Sequence, residues 1–90
     1  MYRLKDNTNL GELKKYGYKY ERGMDSYLKV YFPKFLKLIP IPYSNKIRGL
    51  AIHNDRSIII KKKYGFSWIP AYEDSFAIQD LINANLVEVV

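Results

Sequence analysis

Ninety residues, 48% of them hydrophobic and 27% charged, suffice for one domain around a single core and are too apolar for a disordered chain. The absence of cysteine excludes disulfides and thiolate metal sites, and no apolar run reaches the roughly 20 residues of a membrane-spanning helix. The net charge of +6 is unevenly placed: positions 1–63 hold 15 basic and 5 acidic residues, whereas 64–90 hold only acids, Glu73, Asp74, Asp80 and Glu88.

That division predicts either a basic face for an anionic partner or an acidic final segment that neutralises a basic body. The first ten residues, "MYRLKDNTNL", show no signal-peptide pattern, and a cytosolic protein is expected.

Taken in chain order, Tyr2 and Leu4 suit a short first strand. "NTNLGELKKYGYKY" reads as a helix of about two turns. Asn9 and Glu12 have capping-box spacing, Leu10 and Leu13 share a face, and Lys14 and Lys15 oppose the negative end of the helix dipole. Gly17 suits the left-handed C′ position, with Tyr18 as its hydrophobic cap. "YKYERGMDSYLKVYF" reads as a hairpin that turns around Gly23, with Leu28, Val30 and Phe32 expected toward the core and Tyr27, Lys29 and Tyr31 away from it.

Pro33, Pro40 and Pro42 forbid a helix or a central strand across "PKFLKLIPIPYSNK". Its apolar residues predict a segment folded partly over the sheet, with at least one of Leu36, Ile39 and Ile41 left to a partner or a second copy. "IRGLAIHNDRSIIIKKK" is a second hairpin. A two-residue Asn-Asp loop would pair Ile52 with Ser57 and Leu50 with Ile59; apolar cross-strand pairing favours instead a three-residue loop, Asn54-Asp55-Arg56, which sets Ile52 opposite Ile58, Leu50 opposite Ile60 and Arg48 opposite Lys62 and puts Arg56, a poor residue for it, in the left-handed position. In "DSFAIQDLINANLVEVV", Asp74 or Ser75 can cap a helix that buries Ile78, Leu81 and Ile82. Asn85 ends that helix, and the closing "LVEVV" alternates as a strand whose natural partner is "YRL".

These elements predict a single α+β domain over residues 1–90, a mainly antiparallel sheet of four or five short strands with two helices packed on it.

Chemistry is sparse. "HNDRS" crowds His53, Asp55 and Ser57 onto one hairpin turn, where a catalytic triad cannot converge. His53 is the sole histidine, and no carboxylate pair or glycine-rich phosphate loop is present, so no catalytic residue, metal or cofactor is expected. "SIIIKKKYGFSW" carries two readings. It is a core strand whose lysines protect an aggregation-prone triple isoleucine, or Lys61, Lys62 and Lys63 meet phosphate while Tyr64, Phe66 and Trp68 stack on bases. Period two divides the lysines between two faces, and a tryptophan beside Ile69 and Pro70 is expected to be buried. Any nucleic-acid contact would be to phosphate, weak and independent of sequence, because no base-reading motif is present.

"NLGELKKYGYKYE" and "DLINANLVEVV" resemble the two ends of small, mostly uncharacterised proteins of phages and prophages of Gram-positive bacteria. In those proteins a "DL…L…YGF" opening, a middle of short strands and an "LI..GLVEVV"-like ending recur. Asn85 stands where that ending often has Gly, which fits a shared left-handed cap. The ending also resembles the exit of a winged-helix domain, but no second or third helix precedes it. The resemblance implies a non-enzymatic accessory protein that binds a protein partner or a nucleic acid, or one that is itself a virion or assembly component, and it assigns no site residue.

Overall fold

A computed structural model of the chain describes residues 1–31 and 47–90. In chain order these form β1 (Tyr2–Leu4), a 3-10 helix (Leu10–Tyr16), β2 (Lys19–Glu21), β3 (Ser26–Tyr31), β4 (Arg48–His53), β5 (Ile58–Tyr64) and β6 (Ser67–Pro70). A 3-10 turn (Ser75–Ile78) then runs directly into helix α1 (Gln79–Asn83), and β7 (Val87–Val89) ends the chain. Strands β2 to β6 make one five-stranded antiparallel sheet in sequence order, and β1 pairs with β7 in a second, two-stranded sheet. The expected α+β class is thereby found.

The β4–β5 hairpin has the register that apolar pairing predicts: Ile52 opposes Ile58, Leu50 opposes Ile60 and Arg48 opposes Lys62. Its loop is stabilised from within. The Ser57 backbone N–H and hydroxyl both donate to Asp55 Oδ1, at 3.0 and 2.7 Å. Arg56 takes the left-handed conformation, φ 74°. Arginine is used there because its guanidinium donates to the carbonyls of Lys5 and Thr8, while its own carbonyl accepts from Leu4 N–H at 2.9 Å. The loop thus holds the N-terminal segment against the sheet, beside an antiparallel bridge between Arg3 and Ser57.

Leu50, Ile52, Ile58 and Ile60 cover one face of the sheet and pack with Leu4, Leu13, Tyr18, Ala77, Ile78 and Leu81 in one core, so both helical units lie on this inner face. Ile82, expected within the core, packs at its edge. The face of β3 is the reverse of the one expected. Val30 is 50% exposed and Leu28 lies outside the core, whereas Tyr27 and Tyr31 pack against it; Phe32 lies outside the described residues. The reason is tertiary. Tyr31 meets Phe76 edge-on at 5.6 Å, and Lys29, opposite Leu50, crosses the Tyr18 ring to reach Asp80 at 3.0 Å.

Both helical units end in the same way. Tyr18 N–H donates to Leu13 and Gly17 N–H to Lys14; Leu86 N–H donates to Leu81 and Asn85 N–H to Ile82. These are two Schellman motifs around left-handed residues, Gly17 at φ 88° and Asn85 at φ 61°. The first helix is 3-10 rather than α, capped by Asn9 on Gly11 N–H; seven residues containing a glycine give an α-helical nucleus little to extend. Asp74 occupies the position before its helical turn without capping it, because its carboxylate is held by buried Arg48 at 2.7 Å. The Arg48 guanidinium also lies over the Phe76 ring at 4.9 Å.

The Tyr18 hydroxyl is buried with no hydrogen-bond partner among the described residues. Burial, with the Asp80 carboxylate adding to it, pushes its pKa far above the ordinary tyrosine value. A buried unsatisfied hydroxyl is destabilising, so Tyr18→Phe is expected to leave stability unchanged or raise it by about 1 kcal/mol. Chemical denaturation checks this, and a loss of about 1 kcal/mol or more would reveal a partner for the hydroxyl.

Candidate functional site

Because the inner face takes Tyr27, Leu50, Ile52, Ile58 and Ile60, the pleat sends Leu28, Val30, Ala51 and Ile59 to the other side. These residues, with Gly49 and Trp68, floor an open trough of about 640 Å³ on the outer face of the sheet. Lys19 and Lys61 also line it, and Glu21, Met24 and His53 close one end.

Trp68 completes the floor. It is 42% exposed, not buried as its neighbours in sequence suggest, because β6 pairs it with Lys63 on the outer side of β5. Its ring extends across β5 to β4, where Gly49 leaves room for it. A Cβ at position 49 would lie 3.1 Å from Trp68 Cζ3 and 3.2 Å from Cε3. The ring therefore rests on the one position of β4 that has no side chain. A glycine within an alternating strand pattern signals such a close approach, and Gly49 carried that signal.

Strand β5 continues to Tyr64, so the lysine run divides by period two. Lys61 and Lys63 share the outer side with Trp68, whereas Lys62 lies on the inner side, between Arg48 and Ile69. Tyr64 also falls on the opposite side from Trp68, opposite Ser67 at the hairpin end, so the two aromatics do not form one stacking series. Phe66 is fully exposed in the turn beside Gly65. None of Lys19, Lys61 and Lys63 has a carboxylate within ion-pair distance among the described residues, where the ion pairs are made by Arg3, Lys29 and Arg48. Leu36, Ile39 and Ile41, expected to contact a partner, lie outside the described residues.

At the closed end of the trough the polar groups serve the fold. The buried Ser26 hydroxyl donates to the Met24 carbonyl, and its oxygen lies 2.5 Å from His53 Nδ1. Asp55 turns instead toward Ser57, so the residues of "HNDRS" do not converge. Left-handed Asp25, φ 51°, sets the β2–β3 turn, and its carboxylate accepts from the Tyr20 hydroxyl and the Asn54 amide. Among the described residues no group of three or more metal-ligating side chains is assembled, and no helix is long and apolar enough to cross a membrane.

Comparison with known proteins leaves this geometry to speak for itself: no family model, no curated protein and no solved structure matches the chain.

Two outcomes are expected. Gly49→Ala forces the Trp68 ring off β4 by a few tenths of an ångström or more; its emission should shift to the red, while stability changes by no more than about 1 kcal/mol because the ring has open space to move into. Unchanged emission would show that the ring does not rest on Gly49.

The second concerns pH. The Tyr20 hydroxyl, then the Asn54 amide, hold the Asp25 carboxyl below the usual carboxylate range. A pKa lowered in the folded state gives stabilisation that is present above the ordinary value and lost as pH falls through the lowered one. Below about pH 4 the Tyr20 and Asn54 NMR signals should therefore move together, and Asp25→Asn should abolish that titration. Separate movement would break the link between the three side chains.

Proposed function

We propose that this chain is a small accessory protein of phage or prophage origin that acts by binding, in the cytoplasm of a bacterial host, and that it holds a protein partner against the outer face of its sheet. One observation carries the reading: that face is apolar across three strands although both helical units pack on the other. An antiparallel sheet with one solvated face ordinarily turns polar residues outward. Leu28, Val30, Ala51 and Ile59 depart from that rule together, Val30 and Trp68 exposed and the other three half-buried, and a contiguous apolar patch that solvent reaches marks an interaction surface. The resemblance of the two chain ends supports the phage origin.

A second reading, a weak and sequence-independent nucleic-acid binder, is favoured by the open Trp68 ring beside Lys61 and Lys63, which make no ion pair among the described residues. The aliphatic floor, and the projection of Tyr64 from the opposite side, weigh toward protein.

A random-peptide display selection against the full chain tests the choice. Enriched peptides are expected to lose about tenfold or more in affinity on Val30→Glu, whose exposed position leaves the fold intact by circular dichroism. No enrichment, with Trp68 quenched by oligothymidine in a salt-dependent way that Lys61→Gln and Lys63→Gln abolish, would transfer the face to nucleic acid.

A further inference from the structure

We infer that the occupant of the outer face is an acidic amphipathic helix of the partner, apolar along one ridge and carrying carboxylates on both flanks. The inference rests on the reading of this face as a protein-docking surface and adds what docks there.

Width comes first. Lys19 stands on β2 and Lys61 on β5, three strand spacings apart across the apolar floor. Lys19 is level with Ile59, and Lys61 lies two residues further along β5, so at about 4.8 Å per spacing and about 3.4 Å per residue the two backbones stand about 16 Å apart on a diagonal. An α-helix with its side chains measures about 10–12 Å across, so one helix lies between the two lysines and brings its flanks within their reach. A single extended strand is too narrow to meet both.

The floor also suits a helix. Gly49 has no side chain, and the Trp68 ring fills the space above it, which levels the surface between Val30 and Lys61. Residues at i, i+3, i+4 and i+7 of a helix form the ridge that a level apolar floor accepts.

Charge then sets the sign of the flanks. Lys19, Lys61 and Lys63 have no carboxylate of their own among the described residues, and Glu21 is the one acid lining the trough there. Carboxylates on the incoming helix would satisfy all three lysines, whereas a basic helix would meet repulsion on both sides.

The competing occupants fit less well. Strand addition needs a free edge, but β2 is three residues long and β6 ends on Pro70, which has no N–H to donate. A second copy of this chain cannot supply the helix from its described residues. Its α1 has five residues, and Asp74 and Asp80 are already held by Arg48 and Lys29.

The test uses the full chain, its single tryptophan as reporter, and three synthetic peptides that share one leucine ridge. The first has glutamates on both flanks, the second has lysines there, and the third is the glutamate peptide with a central proline. The glutamate peptide should bind about tenfold or more tightly than either of the others, and increasingly so at low salt. Lys19→Gln and Lys61→Gln should each weaken it by about two- to fivefold, and the double variant should lose most of the salt dependence. Circular dichroism of the variants, whose replaced side chains are exposed, verifies the fold.

Equal binding of the glutamate and lysine peptides would overturn the acidic partner, and equal binding of the proline peptide would overturn the helix. Failure of all three, while display-selected peptides still bind and remain sensitive to Val30→Glu, would overturn this inference and leave the docking face standing. Failure of all three with salt-sensitive quenching by oligothymidine would overturn the docking face as well.

Discussion

The pairing of Ile52 with Ile58 and of Leu50 with Ile60 fixes which side of the sheet is inside. A slip of one residue would turn Ile59 and Lys61 inward and Ile58 and Ile60 outward, because side chains alternate strictly along a strand. The loop prevents the slip. It has an odd number of residues, and the left-handed one is an arginine rather than a glycine. The backbone cost at Arg56 is of order 1–2 kcal/mol, and it is offset by charge-assisted bonds from the guanidinium to the Lys5 and Thr8 carbonyls. One residue therefore sets the hairpin register and anchors the segment that carries β1, and with it β7. Glycine would relieve the backbone and release both.

With the faces fixed, the uneven charge acquires a structural meaning. Of the three bases on the inner side of the sheet, Lys29 and Arg48 are met by acids from the end of the chain, Asp80 and Asp74, while Lys62 lies beyond them toward the sheet edge. Glu88 on β7 pairs with Arg3 on β1 in the same way. Acids of the last third thus neutralise bases of the first two thirds across the core. Lys19, Lys61 and Lys63 point outward and receive none.

What could be read in advance follows from the range of the deciding interaction. The second hairpin, the two left-handed helix ends and the β1–β7 pair depend on neighbours or on a match of short apolar segments, and each was legible. The face of β3 was not. Leu28 and Val30 alternate with Tyr27 and Tyr31, either set can be buried, and the choice is made by Phe76 and Asp80 about fifty residues away. Trp68 was misplaced for the same reason: its seat is Gly49, on a strand that is not its neighbour. The 3-10 form of the first helix and the diversion of Asp74 from capping also depend on context rather than on pattern. The floor of the candidate site was hidden in the same ambiguity, since Leu28, Val30 and Ile59 look like ordinary core residues until the faces are assigned.

The protective reading of "SIIIKKKYGFSW" and the docking face proposed above share two lysines. An apolar outer face is a hazard for self-association, and charges beside it are the usual protection. Lys61 and Lys63 stand where such charges belong, next to Ile59 and Trp68. A lysine that repels a second basic copy also attracts a carboxylate, so protection and recognition call for the same residue in the same place. The requirement that distinguishes them is the absence of an internal partner. A purely protective lysine loses nothing by pairing with a nearby acid, as Lys29 does, whereas a recognition lysine must stay free. Lys19, Lys61 and Lys63 meet that stricter condition among the described residues, whereas Lys29 and Arg48 on the inner face are held by Asp80 and Asp74.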